Sequence, residues 1–249
     1  MNSQTNDASI TGIVLSCSDY KDRDALVTVA AKNGLYSCLF RGVQSGASKN
    51  RRLTQPYTKV KLEYAPKYSR DILYILHGTV LDSWPDIADS LEKSALLGAV
   101  IERWNQQIYK GSWMEGLEQL LIHLDADQMA YAWSDACWLM AQIIEAQGIR
   151  PEVDRCALCG SVTSIVAFDQ ETGGFVCSEC ANELTVRNSR EELLKLRAVF
   201  RARLNNLEAL ETKFTFHASD FLRLCGWYCY QMNSHPASIR FLETVLNMK

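Results

Sequence analysis

The sequence predicts an α+β chain, in which a small closed β-barrel is followed by a helical bundle that a four-cysteine ribbon interrupts. Three observations carry this. Five short β-like runs succeed one another before residue 82, with turn residues between them. From residue 87 the apolar positions recur at helical spacing. Two C-x2-C pairs, Cys156-Ala-Leu-Cys159 and Cys177-Ser-Glu-Cys180, flank seventeen residues, 160–176.

The barrel runs are 10–17, 25–31, 35–41, 58–64 and 72–77 extending towards 81. Five strands in so short a span suggest a barrel of OB type. The fourth run alternates: Val60, Leu62 and Tyr64 share one face, Lys59, Lys61 and Glu63 the other. Tyr64 is therefore expected in the core. A long loop, 42–56, separates the third and fourth runs and carries Lys49, Arg51 and Arg52, so a mobile basic arm is expected there. Tyr20, Tyr57 and Tyr68 are candidates for stacking on unpaired bases, or for capping the barrel.

Charge separates the two parts. The whole chain has a net charge of −3, yet residues 1–80 hold 11 Lys/Arg against 6 Asp/Glu. Between Asp24 and Glu63 there is no acidic residue, and seven cations lie there: Lys32, Arg41, Lys49, Arg51, Arg52, Lys59 and Lys61. A surface of one sign suits a phosphate backbone. A solvated surface balanced by the acidic remainder is the alternative.

The helical stretches are expected at 87–109, 112–124, 128–147, 189–210, 219–232 and 236–247. The third is apolar nearly all round and belongs in the middle of a bundle. Ser189 and Glu192 form a capping box that opens the fourth. Cys225 and Cys229, four apart, read as small residues on a buried face.

Two C-x2-C knuckles about 15–20 residues apart point four thiolates at one centre, a donor set that suits one structural Zn2+ per chain held by Cys156, Cys159, Cys177 and Cys180. Runs 165–169 and 173–176 read as a hairpin between the knuckles. Paired redox thiols and a catalytic metal are the alternatives. None of the four histidines, His77, His123, His217 and His235, opens the H-x-E motif of zinc deaminases. No phosphate loop, dinucleotide fingerprint or nucleophile elbow occurs either, so the chain is expected not to be an enzyme.

The polar start lacks signal-peptide character, and the longest clean apolar run is only 95–101. Nine cysteines fit a reducing compartment, so a cytoplasmic protein is expected, with no membrane partner. The expected domains are 1–82 (nucleic-acid-binding barrel), 83–155 (first helical part), 156–182 (zinc ribbon) and 183–249 (second helical part).

The order of these parts resembles the bacterial RecO family. Gly12-Ile-Val-Leu15 with Asp19-Tyr20 resembles its opening strand, and Arg41-Gly42 with the basic loop and Leu53-Thr-Gln-Pro56 its next segment. The run 148–160, ending in Cys156-Ala-Leu-Cys-Gly160, is the most specific match, and 238–242 resembles the last helix. The turn Val43-Gln-Ser45 departs from the pattern, since family members often carry another cation there.

The resemblance implies a DNA repair and recombination mediator. It would bind single- and double-stranded DNA, anneal complementary strands and, with RecR, promote RecA loading onto DNA coated by single-stranded-DNA-binding protein, whose C-terminal tail is a further implied partner. It also implies a bacterial, nucleoid-associated protein. The DNA-binding residues expected are Arg41, Lys49, Arg51, Arg52, Lys59, Lys61, Lys67 and Arg70. The alternative function is a zinc-ribbon interaction adaptor whose barrel binds RNA or acidic protein tails.

Overall fold

The computed structural model describes residues 8–45, 48–68, 71–102 and 113–248. The chain divides into two compact units, one holding 1–90 and 105–125, the other 91–104 and 126–249.

The first unit is built on five strands: β1 (Ala8–Tyr20), β2 (Asp24–Ala31), β3 (Gly34–Phe40), β4 (Thr58–Tyr64) and β5 (Ile72–Ser83). They close in the order β1-β2-β3-β5-β4, with β4 returning to β1. All pairings are antiparallel except β3–β5, which is parallel over Ser37↔Ile72, Cys38↔Leu73 and Leu39↔Tyr74. This is the expected OB-like barrel. Alternation puts Val27, Val29, Cys38, Phe40, Val60 and Leu62 inside, and Tyr64 packs half-buried against them.

Closure needs Gly12, where β1 pairs with both neighbours, Ala31 on β2 and Val60 on β4. A Cβ there would stand 2.3 Å from the Ala30 carbonyl oxygen. The bulge between Val14 and Ser16 bends β1 further.

The basic loop differs from the mobile arm expected. Lys49–Thr54 is a 3-10 helix that drives Leu53 into the barrel core, where it is 4% exposed. Val43, in the turn that departs from the family pattern, is also a core residue. A loop that buries two aliphatic side chains is a plug with a basic rim, because the transfer of those groups from water holds it down.

Helix α2 (Trp113–Asp125) groups with the barrel, whereas it was expected with the helices after residue 83. Lys59 of β4 reaches its Glu118 at 2.6 Å, and the Asp86 amide donates to Asp125 at 3.2 Å.

The second unit holds α1 (Leu91–Ile101), α3 (Met129–Ala146), β6 (Ile165–Asp169), β7 (Gly174–Cys177), α4 (Arg190–Arg201), α5 (Leu207–Lys213), α6 (Ala218–Met232) and α7 (Ala237–Asn247). Helix α3 is buried nearly all round and packs on α6, as its composition predicts. Cys225 and Cys229 of α6 are both buried. The first expected helix begins later, at Leu91, after a 3-10 turn at Pro85–Ile87; its expected end, 103–109, lies outside the described residues. The helix expected over 189–210 is two helices. Its capping box forms at Ser189, but α4 stops at Arg201, and the Asn206 side chain accepts from the Arg203 amide instead of extending the ladder. Asparagine competes for backbone groups in this way.

Among the described residues no helix is long and apolar enough to cross a membrane.

Candidate nucleic-acid interface and thiolate centre

Of the eight cations expected to meet DNA, seven lie among the described residues: six are exposed, and one, Lys59, is half-buried in an ion pair. Arg41 is exposed at the end of β3, with its guanidinium 5.5 Å from the centre of the Tyr74 ring. Lys67 is exposed on the short 3-10 turn Pro66–Tyr68, with its ammonium 5.9 Å from the Tyr68 ring centre. Lys49, Arg51 and Arg52 are exposed on the rim of the plug, which packs against β1, β4 and β5. Lys61 is exposed on β4, opposite Thr11 and Thr79. Lys59 is half-buried and carries the Glu118 ion pair, so its charge is already met within the unit. Arg70 lies outside the described residues.

The acids bordering the basic interval are engaged as well. Asp24 accepts from the Gly42 amide at 2.9 Å, and Asp19 accepts from the Gln44 side-chain amide at 2.6 Å. These bonds, with the Gln44 amide donating to the Arg23 carbonyl at 3.0 Å, fold the segment after Arg41 back on the β1–β2 hairpin. The turn at 43–45 thus positions Arg41 without adding a cation.

Arg41 shares a groove with Leu39, Ala65, Tyr68, Tyr74, Ile75 and Leu76, and the cavity measures about 380 Å3. Tyr74 was not singled out by the sequence, because Ile72-Leu-Tyr-Ile-Leu76 is apolar at every position and its periodicity is silent about which face is wet. The barrel takes Leu73 into the core and leaves Tyr74 out of it. Tyr68 is exposed, Tyr20 less so, and Tyr57 is half-buried, its amide donating to the Val14 carbonyl.

The four cysteines of the second unit converge as expected. Their sulfurs all lie within 4.8 Å of one another, and Cys159 Sγ stands 3.7 Å from Cys177 Sγ. A tetrahedron with metal–sulfur bonds of about 2.3 Å has edges of about 3.8 Å, so the spacing suits zinc. Each knuckle turns on its own backbone: the Gly160 amide donates to the Cys156 carbonyl, and the Cys180 and Ala181 amides to that of Cys177. Burial raises the Cys156 thiol, but amides of Cys159, Cys177 and Leu158 outweigh it and bring it down to about 6. Cys180 is pushed up to about 12, mainly through its contacts with Cys159 and Cys177. Four crowded thiols split in this way because their negative charges repel, and a divalent cation lets all four ionise. The residues present therefore fit a structural metal.

The hairpin between the knuckles is β6–β7, and its turn is set by Asp169, whose Oδ1 accepts from the Glu171 and Thr172 amides. Gly174 follows at a φ of 154°, with the Glu152 backbone so close that a Cβ would meet its oxygen at 2.3 Å. Phe168 of β6 sits 5.2 Å from the Trp227 ring of α6, and Asp154 takes both Arg197 and Arg201 of α4. The centre is thereby anchored to two helices of its own unit.

These features define a class of protein in which a closed five-stranded barrel is followed by a helical unit with a four-thiolate ribbon. The family model described as Recombination protein O N terminal matches residues 5–84, and that described as Recombination protein O C terminal matches 112–229. The chain belongs to the RecO family of DNA repair and recombination proteins. It is 28% identical over 181 residues to a DNA repair protein RecO of Anaeromyxobacter dehalogenans, covering 70% of each chain. With one of Bacillus cereus it shares 23% identity over 247 residues, 94% of this chain and 96% of that one. A structural match to Entamoeba histolytica asparaginyl-tRNA synthetase has a TM-score of 0.28 at 7% identity, covering 60% of this chain and 34% of that one, too low to bear on fold or function.

Proposed function

We propose that this protein is a recombination mediator that binds single- and double-stranded DNA and anneals complementary strands. With RecR it promotes RecA loading onto DNA coated by single-stranded-DNA-binding protein, whose C-terminal tail it contacts. It acts in the bacterial cytoplasm, at the nucleoid, and needs no nucleophile or general base. The observation that carries this reading is the set of exposed cations Arg41, Lys49, Arg51, Arg52, Lys61 and Lys67 on a barrel of this family. Neutralising two strands at once removes the repulsion that keeps them apart, which is the physical content of annealing. Zn2+ bound by the four cysteines holds the ribbon folded and braces the helical unit.

An annealing assay on complementary strands, with and without the coat protein and across salt, tests the reading. With about 4–6 phosphates contacted, log K for single strands should fall with log salt at a slope of roughly −3 to −4. Failure to bind or anneal strands even in dilute buffer removes it.

A second reading has one observation in its favour. Leu158, Val162, Leu184 and Val186, on and beside the ribbon, are apolar and exposed. As an interaction adaptor the ribbon would bind protein, and partners would be lost with the metal while annealing is absent.

A further inference from the structure

The groove beside the parallel β3–β5 pairing combines features that a water-facing barrel surface does not need. Leu39 and Tyr74 are paired across the two strands, and Leu76, at the bulge of β5 opposite Glu63 and Tyr64, lines the same groove. Tyr68 is 65% exposed and Leu76 44% exposed. Arg41 lies over Tyr74, and Lys67 lies over Tyr68 at the edge. Among the described residues no carboxylate lines the cavity. Its volume, about 380 Å3, is that of a small-ligand cleft. An apolar, aromatic slot rimmed by cations matches a flat ring carried on a polyanion.

We propose that this groove is a stacking site for an unpaired nucleobase of single-stranded nucleic acid, with Tyr68 and Tyr74 as the platform and Arg41 and Lys67 on the flanking phosphates. The proposal rests on the DNA-binding reading above and deepens it. A duplex keeps its base faces covered, so the groove serves single strands only. Every base has a π-face, so the site is blind to sequence. In annealing, a base held here is unstacked from its own strand and ready to be exchanged for a pairing partner.

The test uses the full chain and two labelled 15-mers of equal charge, oligo-dT and a fully abasic strand, measured by anisotropy at one low salt concentration. Phosphate contacts are common to both, so their ratio isolates the bases. Wild type should bind oligo-dT about tenfold more tightly than the abasic strand. Tyr68→Ala should bring that ratio down several-fold while abasic binding stays unchanged, and Tyr68→Trp should restore it. Tyr74→Leu, which keeps an apolar side chain at the seam, should lower the ratio too. Equal affinity of wild type for the two strands, or a Tyr68→Ala ratio equal to wild type, overturns the stacking site while leaving phosphate binding in place. Binding of neither strand overturns both readings.

Discussion

Gly78 of β5 lies against Leu53 of the plug: a Cβ built on the glycine would stand 3.0 Å from Leu53 Cδ1 and 2.7 Å from Leu62 Cδ2. The basic rim and the barrel core are thus one packing problem. Leu53→Ala should cost about 2–5 kcal/mol, since it removes a fully packed aliphatic group and leaves a void. The melting temperature should fall, and DNA affinity should fall with it as the rim loses its anchor. Unchanged stability would show that the plug is not seated.

Arg51 and Arg52 are exposed, so replacing both by Ala should leave the melting temperature within a degree or so. The salt slope of single-strand binding should flatten by about 1. A slope equal to wild type would take the rim out of the interface.

Lys59 and Lys61 alternate on one strand but stand in different electrostatic settings, since only Lys59 has its charge met by Glu118. Lys61→Ala should weaken DNA binding and lower the slope, whereas Lys59→Ala should change either much less. Glu118→Gln should raise affinity by releasing Lys59. Equal losses from the two lysine variants would contradict this division.

Protein purified without chelator should carry about one zinc per chain. Cys177→Ser, which opens the buried side of the centre, should lose the metal and lower the melting temperature of the helical unit. Full stability with no metal and four titratable thiols would refute the structural role.

Asp154 sits between opposing influences. Burial raises its carboxyl, but the Arg197 hydrogen bond and the Arg201 charge outweigh that and hold it below its ordinary value of 3.8. A carboxyl depressed on folding adds stability above its unfolded value and loses it as pH falls through the folded one. The contribution should therefore be complete at pH 7, begin to fade only as the pH falls to about 3.8, and be gone only below the still lower value of the folded state. Asp154→Asn should lower the melting temperature at pH 7 and narrow the gap to wild type on acidification; a gap independent of pH would exclude this role.

Most of the architecture was legible because each part has its own local signature. Period-two alternation marked β4, capping marked Ser189, and the spacing of four cysteines marked the centre without any tertiary knowledge. What escaped depended on the third dimension. Leu53 is a lone leucine in a polar loop, and no periodicity announces that it is buried. Tyr74 sits in a wholly apolar strand, so its face is chosen by closure of the barrel. Helix α2 has an ordinary amphipathic pattern, and nothing in it announces that Glu118 and Asp125 tie it to the barrel unit. Lys59 reads as a wet-face cation until that helix supplies its counter-charge.

Trp227 donates its indole N–H to the Ile149 carbonyl at 2.7 Å while its ring rests near Phe168 of the hairpin. One side chain therefore touches both the approach to the first knuckle and the strand between the knuckles. Undocking of the ribbon would change this indole's surroundings, so chelation of the purified protein should shift its tryptophan emission, and Trp227→Phe should remove that shift from the signal of the other five.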